Sequence, residues 1–127
     1  MGSYYKGGTA TYHSISDNIQ TTANNYKYEH GYFGDKGTST KTKNREIDCD
    51  NPVSEAKKFY DTIANGGIEA PLENGKGFFT RLKDGTIITY REITSTTDSP
   101  AVEINIKKST DTGGIKTQKI HFEKEKK

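Results

Sequence analysis

The side chains best suited to acid–base chemistry lie near the end of the sequence, where His121 stands in the segment KIHF. An imidazole titrates near neutral pH, so it can either accept or donate a proton. Arg91 carries a planar guanidinium that matches two oxygens of a phosphate group. Lys119 and Lys107 can each supply a second cation. These side chains are compatible with proton transfer at an anionic substrate and with stabilisation of the charge that develops there.

Strand alternation predicts which of these side chains share a surface, because residues two apart in a strand point to the same side. In the last predicted strand, burial of Ile120 and Phe122 turns the alternate residues outward. The strand before it has the strict pattern VEINI, in which the aliphatic residues are buried. In the strand that ends in TYRE, we expect Ile88 and Tyr90 to be buried, because Arg91 would be costly to bury unpaired. The predicted outward set is Thr89, Arg91, Glu103, Asn105, Lys107, Thr117, Lys119 and His121.

Four segments of the second half predict the strands that carry this surface. They span residues 78–82, 86–93, 102–107 and 115–123. Asp84 and Gly85 form a hairpin signal between the first two, and short connections favour antiparallel neighbours. The register of the first strand stays open. The polar loop after the second strand contains hydroxyl side chains that can bond phosphate if the loop folds over the face. They are Ser95, Thr96 and Ser99.

A helix is predicted over residues 52–65, because Pro52 suits a first helical turn and Gly66 a C-terminal stop. Asp50 or Asn51 can cap this helix. Its apolar stripe consists of Ala56, Phe59 and Ile63. A thinner pattern predicts a second helix within residues 16–26, capped by Ser16 or Asp17, with Ile19 and Ala23 on one side.

The whole chain of 127 residues is predicted to form one domain, with a thin core because only 29% of it is hydrophobic. Residues 1–50 form a polar, partly irregular region, and residues 51–127 form a helix followed by a β-meander. The predicted fold class is α+β, with an N-terminal helix or helices packed on one face of a four- to five-stranded antiparallel sheet.

Charge and motif content argue against several classes of function. The 19 basic and 17 acidic residues leave a net charge of +2, far below that of a general nucleic-acid coat. Cys49 is the single cysteine and lies in an acidic run that raises a thiol pKa, so a catalytic thiol is not expected. No metal or cofactor motif is present, and no metal or cofactor is predicted. No apolar run predicts a membrane segment.

The second half resembles the C-terminal toxin domains of bacterial polymorphic toxins, including those of contact-dependent growth inhibition effectors. The segments that carry the likeness are FFTRLKDGTIITYRE, STTDSPAVEINI and IKTQKIHFEK. The resemblance implies a nuclease of the barnase/EndoU/colicin/RelE-like group, with its site on the exposed sheet face. Such domains are commonly metal-independent ribonucleases, frequently cleave tRNA, and are neutralised by a cognate immunity protein.

By position, the resemblance makes His121 the acid/base residue and Arg91 the phosphate-binding cation. Lys119, Thr117 and Glu103 compete for the second acid/base role. The expected catalytic set is His121, Arg91, Lys119 and Thr117. The expected substrate-binding set is Ser95, Thr96, Ser99, Asn105 and Lys107.

The expected partners are a cognate immunity protein, tRNA and a host translation factor. Delivery is expected as the C-terminus of a larger secreted or cell-surface effector, with action in the cytoplasm of the target bacterium. Two alternatives stay open: a metal-dependent DNase toxin and a non-catalytic binding module, either an adhesin or an immunity-type partner.

Overall fold

The computed structural model describes residues 13–37, 40–93 and 99–124. This part of the chain contains two helices, a small hairpin and one large sheet. The helices are α1 (Ile15–Ala23) and α2 (Pro52–Ile63). The hairpin consists of β1 (Tyr28–Glu29) and β2 (Tyr32–Phe33). The large sheet consists of β3 (Asn44–Cys49), β4 (Ile68–Pro71), β5 (Gly77–Arg81), β6 (Ile87–Arg91), β7 (Ala101–Asn105) and β8 (Gln118–Lys124).

The large sheet has the strand order β3-β8-β7-β6-β5-β4. The four predicted strands correspond to β5, β6, β7 and β8, and they form the expected antiparallel meander. The α+β class is therefore confirmed. The prediction of a four- to five-stranded antiparallel sheet is wrong, because β4 adds a strand at one edge and β3 pairs in parallel with β8 at the other. The sheet is thus six-stranded and mixed.

Helix α2 lies against one face of the sheet and supplies the centre of the core. Asn51 stands at its N-cap and Pro52 in its first turn, as the sequence indicates. The predicted stripe of Ala56, Phe59 and Ile63 is completely buried. Burial of the two large side chains, Phe59 and Ile63, contributes about 1.5–3 kcal/mol each to folding. The helix ends at Ile63, two residues before the predicted end, and the left-handed Gly66 (φ 83°) follows.

Helix α1 begins one residue before the predicted start, and its N-cap is Ser14 rather than Ser16 or Asp17. The reason is that Asp17 occupies the third helical position, where its carboxylate accepts the Ser14 backbone N–H at 2.9 Å. The buried Asn18 side chain donates to the carbonyl of Ile63 at 2.9 Å, which ties α1 to the end of α2. No helix in the described ranges combines the length and apolarity needed to cross a membrane.

The side of the sheet that faces α2 is apolar, as alternation predicts. Its buried residues are Ile88, Tyr90, Val102, Ile104, Ile120 and Phe122. The register of β5 is now determined: Phe78 packs against this core, and its neighbour Phe79 turns to the opposite side. The core therefore holds β6, β7 and β8 in a fixed register, which fixes the positions of the outward side chains.

Two buried polar side chains hold the loops around this core in place by hydrogen bonds. Asp84, in the turn between β5 and β6, is 4% exposed and accepts the Ile15 N–H at 3.0 Å and the Thr86 hydroxyl at 2.6 Å. Gln118, 1% exposed, accepts the Phe33 N–H at 2.8 Å and donates to the Gly31 carbonyl at 2.9 Å. Each residue thereby satisfies backbone groups that the sheet does not reach.

Candidate active site

The open face is the side of the large sheet opposite α2, and strand pairing arranges its side chains in rows. Residues directly opposite each other on paired strands share a face. The histidine row contains Gly77, Arg91, Ala101, His121 and Glu46. The phenylalanine row beside it contains Ala70, Phe79, Thr89, Glu103, Lys119 and Asn44.

Most of the predicted outward residues lie on this face. Arg91 and His121 belong to the same row and are two strands apart, which places their Cα atoms about 10 Å from each other. Only the methyl side chain of Ala101 stands between them in that row, and Ala101 is 1% exposed. Lys119 lies two residues from His121 on the same strand. The structure thus brings together the imidazole and two cations that the sequence singles out.

Three predicted site residues lie away from the imidazole. Thr117 precedes β8 and is four residues from His121, a distance of about 13 Å along an extended chain. Its hydroxyl accepts the Ile106 N–H at 3.2 Å, so it joins two strand ends instead of facing the site. Asn105 ends β7 at the same remote edge, and its side chain accepts the Lys107 N–H at 2.9 Å in the turn that follows. Thr117 and Asn105 therefore lie away from the imidazole, as does the Lys107 backbone, and the catalytic role of Thr117 and the substrate-binding roles of Asn105 and Lys107 stay predictions.

The His121 imidazole is partly buried, and its Nε2 atom is fully buried without a hydrogen-bond partner among the described residues. Burial lowers the pKa of this imidazole, and the positive charge of Lys119 lowers it further, whereas Glu123 acts in the opposite direction. The ring is therefore held neutral at neutral pH. A buried polar atom without a partner is costly, at about 1–3 kcal/mol. Such atoms are rare in folded proteins, and a catalytic role is one of their known explanations.

Glu103 is the acidic residue that pairing places among the cations. It lies directly across from Lys119, and its carboxylate is 4.0 Å from the Arg91 guanidinium on the diagonal. The Arg91 and Glu103 side chains are 40% and 44% exposed, so this ion pair is weak and can open for a substrate. From the sequence alone, Glu103, Lys119 and Thr117 are equal candidates for the second acid/base role. The choice between them requires the register of β7 against β8, which the sequence does not give.

The polar loop is described only in part. Ser95 and Thr96 lie outside the described residues. Ser99 lines a groove of about 570 Å³ at the end of the sheet, between the start of α2 and the strand end beyond His121. The other lining residues are Asn51, Pro52, Val53, Pro100, Phe122, Glu123 and Lys124.

Metal and thiol chemistry find no support in the part of the chain that the structure describes. No group of three or more His, Cys, Asp or Glu side chains that could hold a metal ion occurs there. Burial, together with the negative charges of Glu55, Asp48 and Asp50, raises the pKa of the Cys49 thiol to about 11. This shift agrees with the expectation that Cys49 is not a nucleophile.

Protein-family models, characterised proteins and solved structures were compared with the chain, and none of them matched it.

Proposed function

We propose that the open face is the active site of a metal-independent endoribonuclease. The observation that supports this proposal most is the orphaned Nε2 atom of His121, buried on a polar sheet face beside Lys119 and in one row with Arg91. A phosphodiester that contacts Arg91 and Lys119 would be matched in charge by both cations. Its contact with the buried Nε2 atom requires the His121 side chain to rotate outward.

In the proposed reaction, the neutral His121 imidazole removes the proton from a ribose 2′-hydroxyl. The 2′-oxygen then attacks the adjacent phosphorus, and the bond from phosphorus to the 5′-oxygen of the next nucleotide breaks. Lys119 donates a proton to that leaving oxygen. The products are a 2′,3′-cyclic phosphate and a free 5′-hydroxyl, so no water and no metal ion is consumed in this step.

The division of roles follows from the environment of the imidazole. Burial lowers the pKa of His121 and the positive charge of Lys119 lowers it further, so the imidazole is assigned the role of proton acceptor and the ammonium group that of donor. Arg91 binds the charged phosphorane with two parallel N–H groups. Glu103 is assigned a positioning role, because its carboxylate lies across from Lys119 and 4.0 Å from Arg91.

The substrate and partners of this proposal come from the resemblance to polymorphic toxin domains. The RNA would be tRNA, cleaved in the cytoplasm of a target bacterium after delivery as the C-terminus of a larger secreted or cell-surface effector. A host translation factor would assist. A cognate immunity protein would cover the open face with an acidic surface, since masking cations requires complementary charge.

The decisive experiment incubates the purified protein with total RNA in EDTA. The expected result is a set of discrete tRNA fragments that end in 2′,3′-cyclic phosphates. His121→Ala should reduce cleavage by at least 100-fold and leave the circular dichroism spectrum unchanged. His30→Asn is the matched control, because His30 is exposed in the β1–β2 turn at φ 55°, which asparagine tolerates. Normal cleavage by His121→Ala would show that the proposed site is wrong.

Growth of bacteria separates the enzyme from an inert binding module. Expression of the domain alone should arrest growth, and co-expression of its immunity protein should restore it. Degradation of plasmid DNA that depends on Mg²⁺ would instead indicate a DNase. No arrest together with intact RNA would contradict the proposal.

A further inference from the structure

Phe79 is an aromatic residue on the polar side of the sheet. It belongs to neither the buried core cluster nor the partly buried residues packed against it, whereas its neighbour Phe78 does. None of the ring–ring contacts within the described residues involves Phe79. Its ring is partly exposed. The core therefore gives no reason for an aromatic side chain at this position.

The residues around Phe79 on the open face leave its ring accessible. Its two cross-strand partners are Ala70 and Thr89, which have small side chains. Gly77, two residues before it on the same strand and the same face, has none. A Cβ atom at Gly77 would come within 2.0 Å of the Tyr90 carbonyl oxygen, so this position cannot accommodate a larger residue without a shift. The ring thus has small side chains at both cross-strand positions and at the position two residues before it, whereas Arg81, two residues after it, is large.

Phe79 is also a direct neighbour of the cationic part of the face. Gly77 pairs with Arg91 and Phe79 pairs with Thr89, so Phe79 and Arg91 are diagonal neighbours on adjacent strands. The Cα atoms of such a pair are about 7–8 Å apart, and the Cβ atoms are somewhat closer. That separation suits a single nucleotide whose phosphate contacts the guanidinium and whose base reaches the ring.

We propose that Phe79 is a stacking platform for an unpaired nucleobase of the RNA whose phosphate lies at Arg91. The inference rests on the proposed ribonuclease function and names the substrate class that the site takes. A base can lie flat on an aromatic ring only when it has left its own stack, so the substrate is a single-stranded segment or a loop. Stacking is tolerant of base identity, and Phe79 provides affinity more than sequence preference.

The chain contains no tryptophan, which allows a direct optical test. Phe79→Trp keeps an aromatic ring at the site and introduces the sole indole as a fluorescent reporter. The probe is a short single-stranded RNA oligomer with 2′-O-methyl groups, which cannot be cleaved. Its binding should quench the fluorescence of this variant. Lys58→Trp is the matched control, since it places an indole at an exposed position of α2, on the other side of the sheet, and its fluorescence should change little.

A second pair of variants measures the contribution of the ring. Phe79→Ala should weaken binding of the same oligomer by about 5- to 100-fold, and Phe79→Leu, which keeps the bulk of the side chain, should also weaken it. Both variants should bind an abasic oligomer of equal length as the unchanged protein does. Arg91→Gln should weaken the binding of both oligomers. Circular dichroism of each variant verifies the fold.

The outcomes separate this inference from the proposed function. Quenching of Phe79→Trp without cleavage of RNA by the unchanged protein would retain the base platform and reject the ribonuclease. Cleavage by Phe79→Ala and Phe79→Leu with an unchanged KM, and no quenching of Phe79→Trp, would reject the platform and retain the ribonuclease. Failure of the oligomer to bind the unchanged protein would reject the platform as well.

Discussion

At the scale of single residues, the protonation state of His121 depends on the burial of the ring and on the charges of its strand neighbours. Partial burial is the main cause of the lowered pKa of the imidazole, the positive charge of Lys119 lowers that pKa further, and Glu123 only partly offsets the two. A histidine with a lowered pKa destabilises the fold in acid, because the unfolded chain takes up the proton first. That penalty is absent well above pH 6.5 and grows as the pH falls from about 6.5 towards the folded pKa.

The first prediction concerns the residue that controls this state. Lys119→Gln removes the charge that lowers the pKa of His121, so that pKa should rise toward its ordinary value. The pKa can be measured by NMR titration of the ring protons. Lys116→Gln, at an exposed loop position, is the matched control and should leave the pKa unchanged. A lower pKa in Lys119→Gln would contradict the assigned electrostatics.

The residues of the site differ in how far the sequence could predict them. Alternation alone placed Arg91, Lys119 and His121 on one face, because their strands also contain buried residues at the intervening positions. Alternation also put Thr117 on this face, but Thr117 precedes the observed strand, and its hydroxyl accepts the Ile106 N–H. Glu103 required the register between β7 and β8, a property of two segments paired in space. Phe79 required the choice between two adjacent phenylalanines, both of which suit a core.

At the scale of elements, Asp84 joins three parts of the chain that are distant in sequence. Its carboxylate accepts hydrogen bonds from the start of α1, from Thr86 after the turn, and from Ser109 in the loop after β7. Burial by itself would raise the pKa of this carboxyl, but the hydrogen bonds from Ser109, Thr86 and Ile15 outweigh burial and hold the pKa below its usual value. The carboxylate therefore stabilises the fold only while it is ionised.

The second prediction follows from that linkage. Asp84→Asn should lower the free energy of unfolding at pH 7 by about 2 kcal/mol, because hydrogen bonds to a charged group are replaced by weaker ones. In the unchanged protein, this contribution is complete above the unfolded pKa of about 3.9 and is lost as the pH falls through the folded pKa. Urea unfolding at pH 7 and at pH 3 measures both effects.

The control for this prediction is Asp61→Asn. Asp61 forms an exposed pair with Lys57 in α2, with side chains 57% and 41% exposed. Such a pair contributes about 0.5 kcal/mol or less. Equal losses of stability in the Asp84 and Asp61 variants would contradict the role assigned to Asp84.

The elements that the sequence did not predict share a physical cause. Strand β3 is a polar segment whose Arg45 turns to the same side as the core. The Arg45 guanidinium is accommodated there by the carbonyls of Phe33 at 3.0 Å and Gly34 at 2.9 Å. Strand β4 is short and ends in Pro71 at the sheet edge. Both strands form by backbone hydrogen bonds to the outermost strand of the meander, β8 for β3 and β5 for β4. Because backbone pairing at a sheet edge does not require alternating apolar side chains, the sequence carries little sign of it.

At the scale of the whole molecule, the charge distribution limits how the protein can attract RNA. A net charge of +2 provides little long-range steering, so binding depends on the few cations of the open face. Those cations are interspersed with acidic side chains such as Glu103 and Glu46 on the same face. We therefore expect selective contact with a small number of phosphates instead of a broad electrostatic coat.

The third prediction concerns the salt dependence of RNA binding, which reports the number of phosphates that the protein neutralises. If two or three phosphates are neutralised, the logarithm of the binding constant of the 2′-O-methyl oligomer should fall with the logarithm of salt concentration with a slope of about −2. Arg91→Gln should make the slope shallower by about 0.7. Fluorescence anisotropy with a labelled oligomer measures both slopes. A slope steeper than about −5 would indicate a basic surface much larger than the open face.

The parallel pairing of β3 with β8 has a consequence for folding kinetics. The paired residues Asn44 and Lys119 are 75 positions apart, and every other pair in this ladder has the same separation. Closing so large a loop costs entropy before any contact compensates for it, and proteins dominated by such distant pairings fold on millisecond to second timescales. The histidine row includes Glu46 and His121 from these two strands. Its assembly therefore belongs to the slow, late part of folding, after the local hairpins have formed.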